Sequence, residues 1–365
     1  MKVIVRRSSY SYDQLRSHFF AMMDALGGGS IRRREQVLIK PNLLMAATPG
    51  RAITTHPSLV RAAVEYVLAR GAIPLVADSP AIGSFERIMD KGGFREALAG
   101  TGVVGQPFKE TRLVDLGHPF GRVALAREAL DAGVIINLPK LKTHAQLLLT
   151  LGVKNMFGTV VGFEKPQWHM KMGSRRELFA LLMVRIYEQF KPTFTILDGI
   201  TALEGDGPGR GGRPRDVGVM MGSSSAHALD LAVCNLLQLN PDRLPTLKVA
   251  REMGLLEETF ELDGELPQVT GFALPALSPN LSGPKFIQGF IRRYLLSNPR
   301  CDQDLCNLCG ECRQICPVEA VSYEGKTIFD LKTCIRCYCC QEICPEGAIG
   351  IREPRAGKLL SRFFS

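Results

Sequence analysis

Val37-Leu38-Ile39-Lys40-Pro41-Asn42, Pro57-Ser-Leu-Val-Arg-Ala-Ala-Val-Glu-Tyr-Val-Leu-Ala-Arg70 and Pro74-Leu75-Val76-Ala77-Asp78 form one unit of chain. Two short Val- and Ile-rich runs suit buried parallel strands. The segment between them has apolar residues at helical spacing, with Pro57 at a plausible first helical position and Gly71 just past the end. Strand, helix, strand argues for an α/β layer architecture. The same kind of aliphatic run recurs at Val3–Val5, Val134–Asn137, Phe194–Leu197 and Val217–Met221. The expectation is a mostly parallel sheet layered with helices.

In open α/β sheets, ligands bind beyond the carboxyl ends of the strands, so the polar residues that follow each run are the informative ones. They are Lys40 and Asn42, then Asp78, then Asn137, Lys140, Lys142 and His144, then Asp198, Glu204 and Asp206. Lys140, Lys142, His144, Lys154, Lys165, His169, Lys171, Arg175 and Arg176, with glycines at 152, 158, 162 and 173, read as a mobile cationic loop able to hold a phosphate or carboxylate. Gly205-Asp-Gly-Pro-Gly-Arg-Gly-Gly-Arg213 fits neither glycine-rich nucleotide motif.

The second decisive stretch lies near the C-terminus. Ten of the eleven cysteines fall between Cys301 and Cys344, and eight of them write C-x2-C-x2-C-x3-C-P twice. The runs are Cys306, Cys309, Cys312 and Cys316-Pro317, then Cys334, Cys337, Cys340 and Cys344-Pro345. This is the ligation pattern of two-cluster bacterial ferredoxins, in which the fourth cysteine of each run serves the other cluster. The expected [4Fe–4S] ligand sets are therefore Cys306, Cys309, Cys312 and Cys344, and Cys334, Cys337, Cys340 and Cys316. Structural zinc sites pair two C-x2-C knuckles and do not use such runs. Cys301 and Cys339 are left over, and Cys234 reads as a small buried hydrophobe on a helix. A Val- or Ile-containing segment follows each run, Ala320-Val-Ser-Tyr323 and Ala348-Ile-Gly-Ile351, so the module is a tandem repeat with a small α+β fold.

Composition bounds the rest. At 365 residues, 45% hydrophobic and 22% charged, the chain has material for a large core and is neither disordered nor fibrous. No apolar stretch spans a bilayer. Arg6-Arg7 lacks the apolar region of an export signal, so the chain reads as cytoplasmic. The net charge of +9 suits anionic partners, and the surplus positive charge lies outside the acidic cysteine module. No nucleic-acid partner is expected, because the single Trp168 and sparse aromatics offer little stacking surface.

Lys40-Pro-Asn42, Thr55-His56-Pro57, Asp78-Ser79-Pro80, Asn137-Leu-Pro-Lys140-Leu-Lys142-Thr-His144, Gly152-Val-Lys154-Asn155-Met-Phe-Gly158 and the Asp198 to Asp206 segment together resemble the "domain of unknown function 362" family over about 37–230. The resemblance implies iron–sulfur proteins, frequently from anaerobes, often with a C-terminal ferredoxin module, and transfers no reaction.

The expected organisation is an α/β domain at 1–283, a linker helix at 284–300, a 2[4Fe–4S] ferredoxin-like domain at 301–352 and a basic tail at 353–365. The segments Phe286 to Leu296 and Lys358 to Phe364 mix apolar and basic residues. They read as packing surfaces in preference to weak peripheral membrane contacts, being short for interfacial anchors.

Two functions fit. In the first, the protein is an oxidoreductase taking electrons from a redox partner protein through two clusters to an anionic small molecule at the strand-end rim. Lys40, Asn42, Asn137, Lys140, Lys154, Asn155, Asp198, Glu204 and Asp206 would then bind and orient, and His144, His56, Lys142 and Asp78 would do chemistry. A flavin relay would suit one-electron clusters, although no flavin motif is present. In the second, the protein is an electron carrier or a subunit of a larger redox complex.

Overall fold

The computed structural model describes residues 1–80, 83–162, 164–173, 175–275 and 297–352. The aliphatic runs become strands of one ten-stranded sheet. Its members are β1 (Lys2–Arg7), β2 (Gln36–Pro41), β3 (Ile73–Asp78) and β4 (Gln106–Pro107). After a separate antiparallel hairpin of β5 (Thr111–Asp115) and β6 (Arg122–Ala126) come β7 (Val134–Leu138), β8 (Lys140–His144), β9 (Leu148–Thr150), β10 (Phe194–Gly205), β11 (Gly212–Ser223) and β12 (Glu261–Asp263). The spatial order is β12-β1-β11-β10-β7-β2-β3-β4, with β8 and β9 branching from β10.

The run β10-β7-β2-β3-β4 is parallel throughout, so the carboxyl ends of those strands open on one edge. β11 is antiparallel to both β1 and β10, so the run at Val217–Met221 is reversed, whereas β1 keeps the direction of β10 and pairs in parallel with β12. Alternate side chains enter different layers. Ile4, Val37, Ile39, Ile136 and Ile196 join the core under the helices Tyr12–Ala25 and Pro57–Ala69, whereas Val3, Val5 and Leu197 pack beneath the helix Ala226–Leu236. Cys234 is fully buried in that last helix.

The helix Pro57–Ala69 starts and stops as its sequence implies. Pro57 occupies the first turn, His56 caps it by accepting from the Ser58 amide at 3.2 Å, and Gly71 follows with φ 68°.

The segment from Lys140 to Arg176 is not a mobile cationic loop. It builds β8, β9, a short helix at Gly152–Asn155 and helices at Glu164–Met172 and Arg176–Phe190. Lys140, Lys142, His144, Lys165 and His169 are all buried. A polar sequence that closes a cavity looks, residue by residue, like one that faces water.

β13 (Asn298–Cys301) pairs with β16 (Ile349–Arg352), and β14 (Val321–Tyr323) with β15 (Thr327–Phe329). Residues 298–300 are therefore strand and not linker helix. The remainder of the expected linker, 284–296, and the basic tail at 353–365 lie outside the described residues.

Candidate functional site

The two cysteine runs fold as copies of one loop. Leu308 and Arg336 sit at matching places with φ 57° and 58°, and Gly310 and Tyr338 likewise adopt left-handed conformations. Each loop then enters a short helix, Glu311–Gln314 or Cys339–Ile343. After each fourth cysteine, the amide four residues on donates to its sulfur: Ala320 to Cys316 and Ala348 to Cys344, both at 3.2 Å.

The exchange of fourth cysteines is visible in space. Cys306, Cys309, Cys312 and Cys344 line one hollow with an empty volume of about 300 Å³. Cys340 lies within electrostatic reach of Cys337, Cys334 and Cys316, as well as of Cys312. Among the described residues no three His, Cys, Asp or Glu side chains converge on a single ion. The first quartet brackets a volume, as a cuboidal cluster requires, and amide donors to the sulfurs are the groups that stabilise thiolate ligation. Cys306, Cys309, Cys312 and Cys344, and Cys334, Cys337, Cys340 and Cys316, thus fit the [4Fe–4S] group. Cys309 is the exposed member.

A larger cavity, with about 760 Å³ of empty space including its mouth, lies where the parallel strand ends meet this unit. From the α/β domain it is lined by Lys40, Asn42, Asp78, Lys142, His144, Lys154 and Asn155, all expected site residues. Ile315, Cys339, Glu342 and Ile343 of the ferredoxin-like unit close the other wall. Ile315 precedes Cys316, and Cys339 precedes Cys340, so that wall carries the sequence neighbours of two cysteines of one quartet.

The floor is a locked polar lattice. Lys40 Nζ donates to Asp78 Oδ1 at 2.8 Å, and the Leu43 amide donates to Asp78 Oδ2 at 2.9 Å. Asn42 Nδ2 donates to Asn155 Oδ1 at 2.9 Å, while Lys142 Nζ reaches Asn42 Oδ1 and the Ile53 carbonyl, both at 2.7 Å. Gly158 is required here, because a Cβ would collide with Asp78 Oδ1 and Lys40 Nζ.

Burial sets the charge states. It lowers Lys142 well below the usual lysine range, Lys154 to about 8 and Lys165 to about 7. It also holds His144 near 3 and His169 near 4, so both imidazoles are neutral at pH 7.

Their tautomers are opposite. His144 Nδ1 accepts from the amides of Gln146 and Leu147 at 3.1 and 3.2 Å, which leaves its proton on Nε2, 3.2 Å from Glu342 Oε1. Gln146 Nε2 donates to the Gly173 carbonyl, so Gln146 Oε1 faces His169 Nδ1 at 2.9 Å and must accept from it. His169 Nε2 is then an unprotonated acceptor. His144 thus turns a protonated Nε2 towards Glu342 Oε1, which makes no hydrogen bond among the described residues.

Six expected residues do not line the cavity. Lys140, Asp198 and Tyr10 form a buried triad, with Lys140 Nζ 2.8 Å from Asp198 Oδ2 and 2.9 Å from the Tyr10 hydroxyl. His56 caps a helix and stacks on Tyr10 at 3.7 Å. Asn137 supports from behind, donating to the Gly152 carbonyl and accepting from Asn155. Glu204 pairs with Arg215 at 2.9 Å, and the Asp206 carbonyl accepts from Gln341 of the ferredoxin-like unit. Sequence reasoning missed Thr150, Phe157, Gly158, Glu342 and Cys339, and did not single out Lys165 and His169 within the basic segment.

Fold and cysteine geometry define an iron–sulfur protein with an α/β domain and a ferredoxin-type unit. The chain belongs to the family described as domain of unknown function DUF362, which matches residues 37–235, and residues 302–322 match the 4Fe-4S binding domain. A thylakoid-associated protein of Synechocystis sp. is 38% identical over 261 residues, 71% of this chain and 81% of that one. The lactate racemase apoprotein from Thermoanaerobacterium thermosaccharolyticum superposes with a TM-score of 0.40 at 10% identity. That match covers 61% of this chain, which spans about half (54%) of the racemase chain. No helix among the described residues is long and apolar enough to cross a membrane.

Proposed function

We propose that this protein is an iron–sulfur oxidoreductase that binds an anionic small molecule in the lysine-rich cavity and reduces it. Electrons would come from a redox partner protein. One observation carries the reading: a single cavity is walled on one side by Lys40, Lys142, Lys154 and Lys165 and on the other by residues adjoining Cys316 and Cys340. A carrier that only passes electrons onward has no use for a buried cationic chamber behind a cluster quartet.

Cys306, Cys309, Cys312 and Cys344, and Cys334, Cys337, Cys340 and Cys316, would hold two [4Fe–4S] clusters, which when bound would supply low-potential single electrons. The chain's own residues do the remainder. Lys142, Lys154 and Lys165 hold negative charge, and the closed floor excludes water. Burial lowers Lys154 to about 8 and Lys165 to about 7, so either can release a proton to a reduced substrate. His169 Nε2 can accept a hydrogen bond from the substrate.

The test is anaerobic purification with iron and sulfide analysis and mass spectrometry of what denaturation releases. The proposal expects about eight irons per chain, with an anionic compound in the released fraction. Cys309→Ala and Cys337→Ala should each remove iron from one site. Unchanged iron in both variants contradicts the ligand sets, and a full complement of clusters with no released compound favours the electron-carrier reading.

A further inference from the structure

The charges of the cavity do not balance. Lys40 is matched by Asp78. That leaves Lys142, Lys154 and Lys165 facing one further carboxylate, Glu342, with His144 and His169 neutral beside them. Among the described residues Lys142 donates only to the neutral Asn42 and Ile53 oxygens, and Lys165 only to the Ser79 carbonyl. Lys154 makes no hydrogen bond or ion pair among the described residues, although Glu342 and Lys40 lie within electrostatic reach. Burial lowers all three lysines; drawn to the ammonium form by a bound anion, they would set three positive charges against one carboxylate and leave two unmatched.

A second observation is independent of charge. Thr150 lines the same cavity, is only 2% exposed, and its Oγ1 is buried with no hydrogen-bond partner among the described residues. Buried polar atoms are rarely left orphaned, and buried like charges are costly unless something neutralises them.

We propose that the ligand of this cavity is a dianion, of dicarboxylate or phosphate-monoester type, held by Lys142, Lys154 and Lys165 with Thr150 as a neutral donor. The inference rests on the reading of this cavity as the substrate site, and it specifies the substrate class. Two negative charges complete the count that Glu342 leaves short. A monoanion leaves one ammonium group uncompensated, and a neutral ligand leaves two.

The consequence is coupling to protons. At pH 8, Lys165 and Lys154 are partly neutral, and a bound dianion draws both to the charged form. Titration calorimetry of the cluster-replete full chain at pH 8 and fixed ionic strength tests this with inorganic phosphate, malonate and acetate as probes. At least one dianion should bind, acetate should bind roughly tenfold more weakly or worse, and the heat should depend on the buffer in the sense of proton uptake. Lys154→Ala with Lys165→Ala should reduce the proton uptake and weaken the dianion, while Lys109→Ala, at an exposed site, changes neither. Phosphate alone or malonate alone as the ligand assigns a tetrahedral or a planar anion. Acetate binding as tightly as the dianions, dianion binding without proton uptake, or binding by neither dianion overturns the proposal. A dianion that binds yet leaves the reduced protein reduced contradicts the reductase reading and not this one.

Discussion

His144 Nε2 stands 3.2 Å from Glu342 Oε1 across the seam between the α/β domain and the ferredoxin-like unit. Because His144 Nδ1 is occupied by two backbone amides, the proton at this contact belongs to Nε2. Glu342 is therefore a fixed negative charge placed by one unit into the lysine cavity of the other. Glu342→Gln keeps the shape and removes the charge. Phosphate affinity should rise by roughly tenfold, the scale expected for relieving one repulsion at a few ångströms in a partly buried site. An unchanged or weaker affinity would mean that Glu342 does not face the anion.

Lys140 and Lys142 differ by two positions and should behave oppositely. Lys140→Ala leaves Asp198 buried without its cation, so thermal or denaturant unfolding should register a loss of about 3–5 kcal/mol. Anion affinity in the folded fraction should stay put. Lys142→Ala should weaken phosphate by roughly tenfold or more. Equal effects of the two changes on binding would contradict the placement of Lys140 outside the cavity.

Gly158→Ala drives a methyl group into the Lys40–Asp78 pair. Overpacking and a broken buried ion pair together should lower stability by about 3 kcal/mol or more. Gly29→Ala is the control, since its Cβ meets nothing within 4 Å. Urea midpoints of the two variants should separate clearly; coincident midpoints would refute the tight approach at Gly158.

Acid should destabilise the protein through its buried histidines. His144 and His169 have folded pKa values near 3 and 4, below the 6.5 of a free imidazole. As pH falls through 6.5 the unfolded chain binds protons that the folded one refuses, so stability drops by up to about 1.4 kcal/mol per pH unit for each histidine. Unfolding midpoints between pH 7 and 5 should show this slope, and His169→Gln should make it shallower. A flat profile would contradict neutral burial.

What the sequence made legible follows from which physics is local. Cysteine spacing is local geometry, and aliphatic runs become strands wherever both faces are covered, so the 4Fe-4S binding unit and the strands β2, β3, β7 and β10 could be read directly. The cavity could not. Lys140, Lys142 and His144 share a strand parity, yet the pairing of β8 with β10 shifts register between Asp198 and Leu203, which turns Lys140 to Asp198 and frees Lys142 for the cavity. Glu342 reaches His144 only because the ferredoxin-like unit docks there, a contact between residues almost two hundred positions apart. Lys165 and His169 sat in view within the basic segment, but nothing in their neighbourhood distinguished a buried lysine from a solvated one.

The central claim is that electrons leaving the cysteine unit arrive in the lysine cavity. Its most direct test is the rate at which the anaerobically reduced protein is reoxidised, followed by its iron–sulfur absorbance, on adding the compound released from the native protein. The account predicts reoxidation in the unmodified chain and its loss in Lys154→Ala with Lys165→Ala, with iron content equal in both. Clusters that stay reduced in the unmodified chain with the compound bound would contradict it and leave an electron carrier with an anion site.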